Sequence, residues 1–298
     1  MTRRRASDLF VECLESEGVR HVFGIPGEET LDLNESLAHS SVAFVPVRHE
    51  QGGAYMADMY GRLTGRAGVC LGTLGPGALN LTTAIADAFL DRAPLVALTG
   101  QADIERMHKE SHQFIDLVEV LAPITKWNTR VTSPEIIPEV VRKAFKVAES
   151  EKPGSTHIEL PEDVMAAPVQ EGTPGPLPRR RPVRPEPGAR ELLKAADVIR
   201  NAINPVALAG NGAVRADAAP ALREFSRATG IAVAETFMGK GLLDAHDPKA
   251  LGTVGLHSRD YAMAGFEDAD VVIAVGYDLV EHSPDHWNPG RDKKIVVI

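Results

Sequence analysis

Short unbroken apolar runs alternate along this chain with stretches in which apolar side chains return every three or four positions. The first pattern suits a strand buried on both faces, the second an amphipathic helix. Ala6, Leu9, Phe10, Cys13 and Leu14 stand at helical spacing and Gly18 supplies a stop, so the chain opens with a helix. "HVFGI" then predicts a strand, "ETLDLNESLAHS" a helix, "VAFVPV" a strand, "EQGGAYMADMYGRLTG" a helix and "AGVCLGT" a strand. "ALNLTTAIADAFLD" and "PLVALTG" continue the series, and "EIIPEVVRKAFKVAES" and "STHIEL" add one more helix and strand. Regular alternation of this kind is the mark of α/β architecture, a parallel sheet covered by helices on both faces.

Both patterns stop at "EGTPGPLPRRRPVRPEPG", residues 171–188, where dense proline can continue neither a helix nor a central strand. The segment reads as an extended, semi-rigid linker whose arginines are solvated. Beyond it the alternation resumes with "ARELLKAADVIRNA", "PVALAG", "APALREFSRATG", "IAVAET", "ADVVIAVGYD" and "KKIVVI". The predicted fold class is α/β, with two doubly wound, Rossmann-like parallel-sheet domains over residues 1–170 and 189–298. Since "KKIVVI" is a strand with no helix after it, the second domain is expected to be incomplete.

Composition narrows the function. Asp and Glu total 41 against 32 Lys and Arg, and a net charge of -9 argues against sequence-independent binding of nucleic acid. Small anions are still admissible, because helix N-termini and glycine turns hold them whatever the overall sign. Cys13 and Cys70 are too few for a disulfide framework and fall in apolar patterns, as expected of core thiols in a reducing cytoplasm. Asp8, Glu12, Glu15 and Glu17 interrupt the N-terminal apolar pattern, which argues against a signal peptide, and no run is long enough for a membrane span.

In open parallel sheets, ligands collect beyond the carboxyl ends of the strands. Three predicted turns there are rich in glycine or proline: "GIPGEE", "RHEQGG" and "TLGPGALN". Gly75 and Gly77 would let backbone approach a ligand, and Asn80 would offer its amide from the first helical turn. Glu50 has two readings: a first-turn carboxylate favoured by the helix dipole, or a group awaiting a ligand. Val45, Val47, Ala54, Tyr55 and Met56 imply apolar surroundings, in which a carboxylate needs a partner, for instance a ring nitrogen with a proton to share. His49 is either a proton shuttle or a structural hydrogen-bonding group. His108 and His112, four apart, lack a third metal ligand nearby and read as surface residues. "AGNGAVR" follows a strand like a dinucleotide turn, but Arg215 stands where the full fingerprint wants a small residue.

"RHEQGGAYMADMYGRLTG", "GTLGPGALNL", "PLVALTGQ", "HQFIDLVEVLAPITKWN" and "GLHSRDYAMAGFEDADVVIAVGYDLVEHSPDHWN" resemble, in order and spacing, the thiamine-diphosphate-dependent decarboxylase and carboligase family, and within it the acetolactate synthases. The resemblance implies that Glu50 hydrogen-bonds the aminopyrimidine of thiamine diphosphate and favours its imino tautomer, which takes the thiazolium proton. Pyruvate would then lose carbon dioxide and be joined to a second 2-oxo acid. It further implies a pyrimidine-binding first domain whose cofactor wall includes Pro26, Gly27, Pro76, Gly77 and Asn80, with Gln113 near the substrate and Lys126 in an access channel. The "MADMYGRLTG" helix would pack between the chains of a homodimer or tetramer that share each cofactor. No Gly-Asp-Gly run occurs in these residues, so the ligands of a diphosphate-bound Mg2+ are expected in a further domain, and these residues alone are expected to be inactive. One branch of acetolactate synthases carries FAD and another does without it; "HQFID" and "GYDLVEHSPDHW" incline toward the second. Another thiamine-diphosphate 2-oxo acid enzyme would share Glu50, glyoxylate carboligase would lack it, and a non-catalytic cofactor-binding module is the remaining alternative.

Overall fold

A computed structural model describes residues 4–180, 182–255 and 261–298. Residue 181 of the proline-rich segment, and residues 256–260 of the "GLHSRD" stretch, lie outside the described residues. The chain divides into two compact units, one running to Arg184 and the other from Pro185 to Ile298.

In the first unit the order is α1 (Ala6–Ser16), β1 (His21–Gly24), α2 (Leu31–Ala38), β2 (Ala43–Pro46), α3 (Glu50–Thr64), β3 (Gly68–Gly72), α4 (Pro76–Asn80), α5 (Thr82–Leu90), β4 (Leu95–Gln101), α6 (Leu117–Leu121), β5 (Trp127–Arg130), α7 (Ile137–Glu149), β6 (Ser155–Pro161) and α8 (Glu162–Ala166). Its six strands pair in parallel in the order β2-β1-β3-β4-β6-β5. Every residue of β3, β4 and β6 is buried, which is why β3 and most of β4 read as continuous apolar runs, while β6 also buries Ser155, Thr156, His157 and Glu159. One face packs on α1 and α7 through Phe10, Leu14, Val141 and Phe145, the other on α3 and α5 through Ala54, Ala57, Ile85 and Ala88. On the second face Arg62 of α3 binds Asp58, Asp87 and Asp91 at 2.9, 3.0 and 2.9 Å, fastening α3 to α5.

The second unit contains α9 (Ala189–Arg200), β7 (Pro205–Ala209), α10 (Asn211–Arg215), α11 (Ala219–Thr229), β8 (Ala232–Glu235), β9 (Ala250–Thr253), β10 (Val271–Val275) and β11 (Lys294–Val297). Its sheet is also parallel, in the order β11-β10-β7-β8-β9. Two doubly wound α/β units are therefore present, as the alternation predicted.

Three details differ from the sequence reading. The helix predicted over "ALNLTTAIADAFLD" is two helices, since Pro76 starts α4 earlier, as its fixed φ favours at a first helical position. Trp127–Arg130 and Ala250–Thr253 add four-residue edge strands too short to announce themselves, the first of them also polar. Arg179, expected to be solvated, is mostly buried: it binds Glu149 at 3.0 Å and lies 3.9 Å from Glu17, while the Leu177 carbonyl accepts from Ser16 Oγ.

Cys13 and Cys70 are buried and unpaired, and burial pushes both thiols up to about 12, leaving them as inert core residues. No helix among the described residues is long and apolar enough to cross a membrane. His157 on β6 is fully buried, its Nε2 2.8 Å from Thr99 Oγ1 on β4 and its Nδ1 without a partner. Burial, assisted by the charge of Arg130, lowers its pKa from 6.5 to about 3. Between those values the unfolded chain binds a proton that the folded chain does not, so stability falls as pH drops below 6.5 and keeps falling until about pH 3. Urea midpoints measured across that window should decline less steeply in a His157→Asn variant than in the parent chain; parallel declines would contradict this assignment.

Candidate functional site

The first sheet reverses its strand order at β1, which pairs with β2 on one side and β3 on the other. Connections leaving β1 and β3 diverge there, and the divergence leaves a crevice beyond the carboxyl ends of the strands. The three turns singled out in the sequence all emerge on this edge: Ile25 to Gly27 after β1, Val47 to His49 after β2, and Thr73 to Gly75 after β3.

Glu50 is the first residue of α3 and is 8% exposed. Its Oε2 accepts a hydrogen bond of 2.9 Å from Asn80 Nδ2, so two of the residues singled out meet directly. Asn80 makes that contact from the end of α4 rather than from a first helical turn. The other carboxylate oxygen faces Gly77: a Cβ built there would stand 3.4 Å from Glu50 Oε1 and 2.8 Å from Thr73 Cγ2. Only a residue without a side chain keeps that space clear. Thr73 in turn donates to Glu29 Oε2 at 2.6 Å, and Gly27 donates its N–H to Thr30 Oγ1 at 2.9 Å, which closes the turn after Pro26. Neither Thr73 nor Glu29 was singled out from the sequence, although both sit inside the quoted glycine turns.

Gly75 has a φ of +50°, and a Cβ on it would fall 2.4 Å from the Gln113 carbonyl oxygen. The close approach brings Gln113, itself exposed and at a φ of 54°, to the turn that carries Pro76, Gly77 and Asn80. Lys126 is not brought there within this chain. Its Nζ donates to the carbonyls of Val147 and Ser150 at 2.6 and 2.8 Å, at the end of α7, and its N–H bonds Ser155 at the start of β6. Unpaired carbonyls at a helix C-terminus draw a cation, and here they hold Lys126 at the amino ends of the strands, away from the crevice. Burial pushes this ammonium down to about 8.

The apolar setting inferred for Glu50 is also corrected. Ala54 is fully buried, but Val45 and Val47 are only half-buried, and Tyr55 and Met56 point out of the chain at 38% and 48% exposure. The Asn80 amide, more than grease, answers the cost of burying the carboxylate. His49 caps α3, with Nδ1 accepting from the Gln51 N–H at 3.2 Å. His108 and His112 are exposed, and no group of three or more His, Cys, Asp or Glu among the described residues is placed to hold a metal ion.

Taken together, these residues form a buried carboxylate with one oxygen fixed by an amide donor and the other turned toward a glycine-lined gap. Such a group can share a proton with the nitrogen of a flat heterocycle lying against Gly77, so this side of the crevice fits the aminopyrimidine of thiamine diphosphate.

The corresponding crevice of the second unit, between β7 and β10, is filled by the chain itself. Gly210 N–H bonds Val275 O at 2.9 Å, Gly212 N–H bonds Gly276 O at 2.7 Å and Ala213 N–H bonds Gly210 O at 3.0 Å. Asn211 N–H is taken by the Glu281 carboxylate at 3.1 and 3.3 Å, and the same carboxylate accepts from Thr236 Oγ1. Burial raises the Glu281 pKa in spite of these donors. With these four amides occupied and a carboxylate where an anion would lie, the "AGNGAVR" turn does not fit a dinucleotide pyrophosphate.

Comparison with known proteins gives two family matches: residues 4–120 to the thiamine pyrophosphate enzyme N-terminal TPP binding domain, and residues 192–298 to the thiamine pyrophosphate enzyme central domain. Among curated relatives, a probable acetolactate synthase large subunit of Methanocaldococcus jannaschii is 38% identical over 91% of this chain and 47% of its own length. The chloroplastic acetolactate synthase 1 of Zea mays is 40% identical over 92% of this chain and 43% of its own length. For the acetolactate synthase large subunit of Corynebacterium glutamicum the figures are 38%, 99% and 47%. The chain thus spans less than half the length of these relatives.

The filled β7 crevice carries a direct expectation. Purified chain should show no flavin absorbance and no saturable binding of added FAD by fluorescence quenching; stoichiometric flavin in the purified protein would contradict it.

Proposed function

Because the chain belongs to the thiamine pyrophosphate enzyme family, whose N-terminal and central domains it carries, we propose that it grips the pyrimidine end of thiamine diphosphate and serves an acetolactate synthase. On this reading the full-length protein decarboxylates pyruvate and joins the remainder to a second 2-oxo acid, giving 2-acetolactate. The observation that carries the proposal is the buried Glu50 carboxylate, fixed by Asn80 and turned toward Gly77 at the strand-order reversal.

When bound, thiamine diphosphate supplies the electron sink that lets a 2-oxo acid lose carbon dioxide. The protein residues set up that chemistry. Glu50 Oε1 is the oxygen available to share a proton with the ring nitrogen of the aminopyrimidine, while Asn80 holds Oε2 and so fixes the direction of the carboxylate. Gly77 keeps the approach open, and Thr73, anchored on Glu29, lines it. Gln113, at the rim beside Gly75, offers its side-chain amide to the carboxylate or carbonyl of a 2-oxo acid. Lys126 is left out of this assignment, since its ammonium is engaged at the end of α7.

Magnesium and the diphosphate would be held outside these residues, in sequence corresponding to the remainder of the relatives' length; the lack of a Gly-Asp-Gly run here supports that division. A homodimer or tetramer is supported by α3, which turns Met56, Met59 and Leu63 outward at 48%, 51% and 80% exposure on one apolar stripe, an arrangement that suits a covered face. Cytoplasmic residence is supported by the two buried, unpaired thiols.

Two measurements test this reading. In a polypeptide of the relatives' full length, Glu50→Gln should lower acetolactate formation from pyruvate by about 10²–10⁴-fold, the range for a lost proton-transfer group, while thiamine diphosphate still binds. Unchanged carbon dioxide release would sink the proposal. Separately, a Met59→Glu, Leu63→Glu double variant should shift the molecular mass by light scattering from dimer toward monomer with the circular dichroism preserved; an unshifted dimer would remove α3 from the interface.

A further inference from the structure

Gln113 sits on a loop, and a loop places a side chain only as well as its ends are held. Loop 102–115 leaves β4 directly after Gln101, whose side chain is fully buried. The two ends of the loop converge on that one carboxamide: Oε1 accepts from Ala102 N–H at 2.9 Å, and Nε2 donates to the Ile115 carbonyl at 3.0 Å. Nε2 also donates to Glu159 Oε1 on β6 at 2.9 Å. Glu159 is fully buried, and its other oxygen accepts from Arg130 Nε on β5. Arg130 Nη2 lies 3.7 Å from Asp116, and Asp116 caps α6 by accepting from Glu119 N–H at 3.2 Å. Three strands therefore hold the far end of the loop, two residues beyond Gln113.

We infer that Gln101 is a positioning residue: its carboxamide staples loop 102–115 at both ends and thereby seats Gln113 against Gly75, beside the Glu50 crevice. The chemistry requires an amide at this position. A carboxylate would lose both donors and face Glu159 at hydrogen-bonding distance, and a hydrocarbon would leave the buried Ala102 N–H without an acceptor and the half-buried Ile115 carbonyl without this donor. Glu159 and Arg130 keep the staple from turning, since each satisfies the charge the other buries. Closing the loop at its base removes most of the conformations it would otherwise sample, and the seat on Gly75 exists only in the closed arrangement. The inference rests on the proposed function only in giving Gln113 a substrate to meet; the staple itself is independent of that reading.

The test uses Gln101→Met, close in volume to the parent residue, with Gln101→Glu as a second variant should the first fail to fold. Arg106 and Lys109 lie within the loop and report its opening to trypsin. Cleavage at these two sites under native conditions should accelerate about tenfold, as expected when the two modest hydrogen bonds that close the loop are lost along with the one to Glu159, while cleavage elsewhere stays unchanged. In the polypeptide of the relatives' full length, the pyruvate KM should rise by about the same factor with kcat within a few-fold, as expected when a positioned binding group is lost. Unchanged cleavage at Arg106 and Lys109 overturns the staple. Faster cleavage with an unchanged KM overturns its role in seating Gln113 for substrate. If the parent polypeptide forms no acetolactate, the functional reading fails, and the cleavage rates alone decide the staple.

Discussion

A carboxylate withdrawn from water must be paired, and in this chain the pairing of Glu50 with Asn80 joins the turn after β2 to the helix after β3. Much of the first unit serves that contact. β1 lies between β2 and β3 and fixes the spacing of the two turns, and α3 is fastened to α5 through Arg62, which sets where its first residue falls. The glycines after β3 admit close neighbours where side chains would intrude. What results is a polar contact on a rigid sheet edge, with one carboxylate oxygen left to face a ligand.

The two units show how one topology yields opposite outcomes. Each sheet reverses its order and so creates a crevice at the carboxyl ends of its strands. In the first unit the crevice is lined by glycines and a carboxylate whose second oxygen faces a gap. In the second, Glu281 and the Gly276 carbonyl occupy the amides that an anion would use. Fold alone therefore says little about ligands; which side chains occupy the crevice decides the matter.

Much of this was legible in the sequence because burial on both faces leaves a simple signature. β3 and the first four residues of β4 are an unbroken apolar run, and the turns beside them carry glycine and proline, whereas β6 sets Ile158 and Leu160 among buried polar residues. Glu50 was legible because a charged residue at the junction of an apolar strand and a helix needs a reason. The remainder depended on contacts between residues far apart in the chain. "WNTR" gives no strand signal, since an edge strand need not be apolar, and nothing local shows that Lys126 would turn to the end of α7. Arg179 reads as linker until Glu149 is found beside it. Gln101 was quoted only within a motif, and its two-ended hydrogen bonding appears only once Ile115 is brought back to β4.

The central claim is that Glu50 meets the aminopyrimidine ring, and a crystal structure of the protein with thiamine diphosphate tests it most directly. The account predicts a Glu50 carboxylate oxygen within hydrogen-bond reach, about 2.6–3.2 Å, of the ring nitrogen, with Asn80 still bound to the other oxygen and the ring against Gly77. A ring seated elsewhere, or a Glu50 turned away from it, would contradict the account.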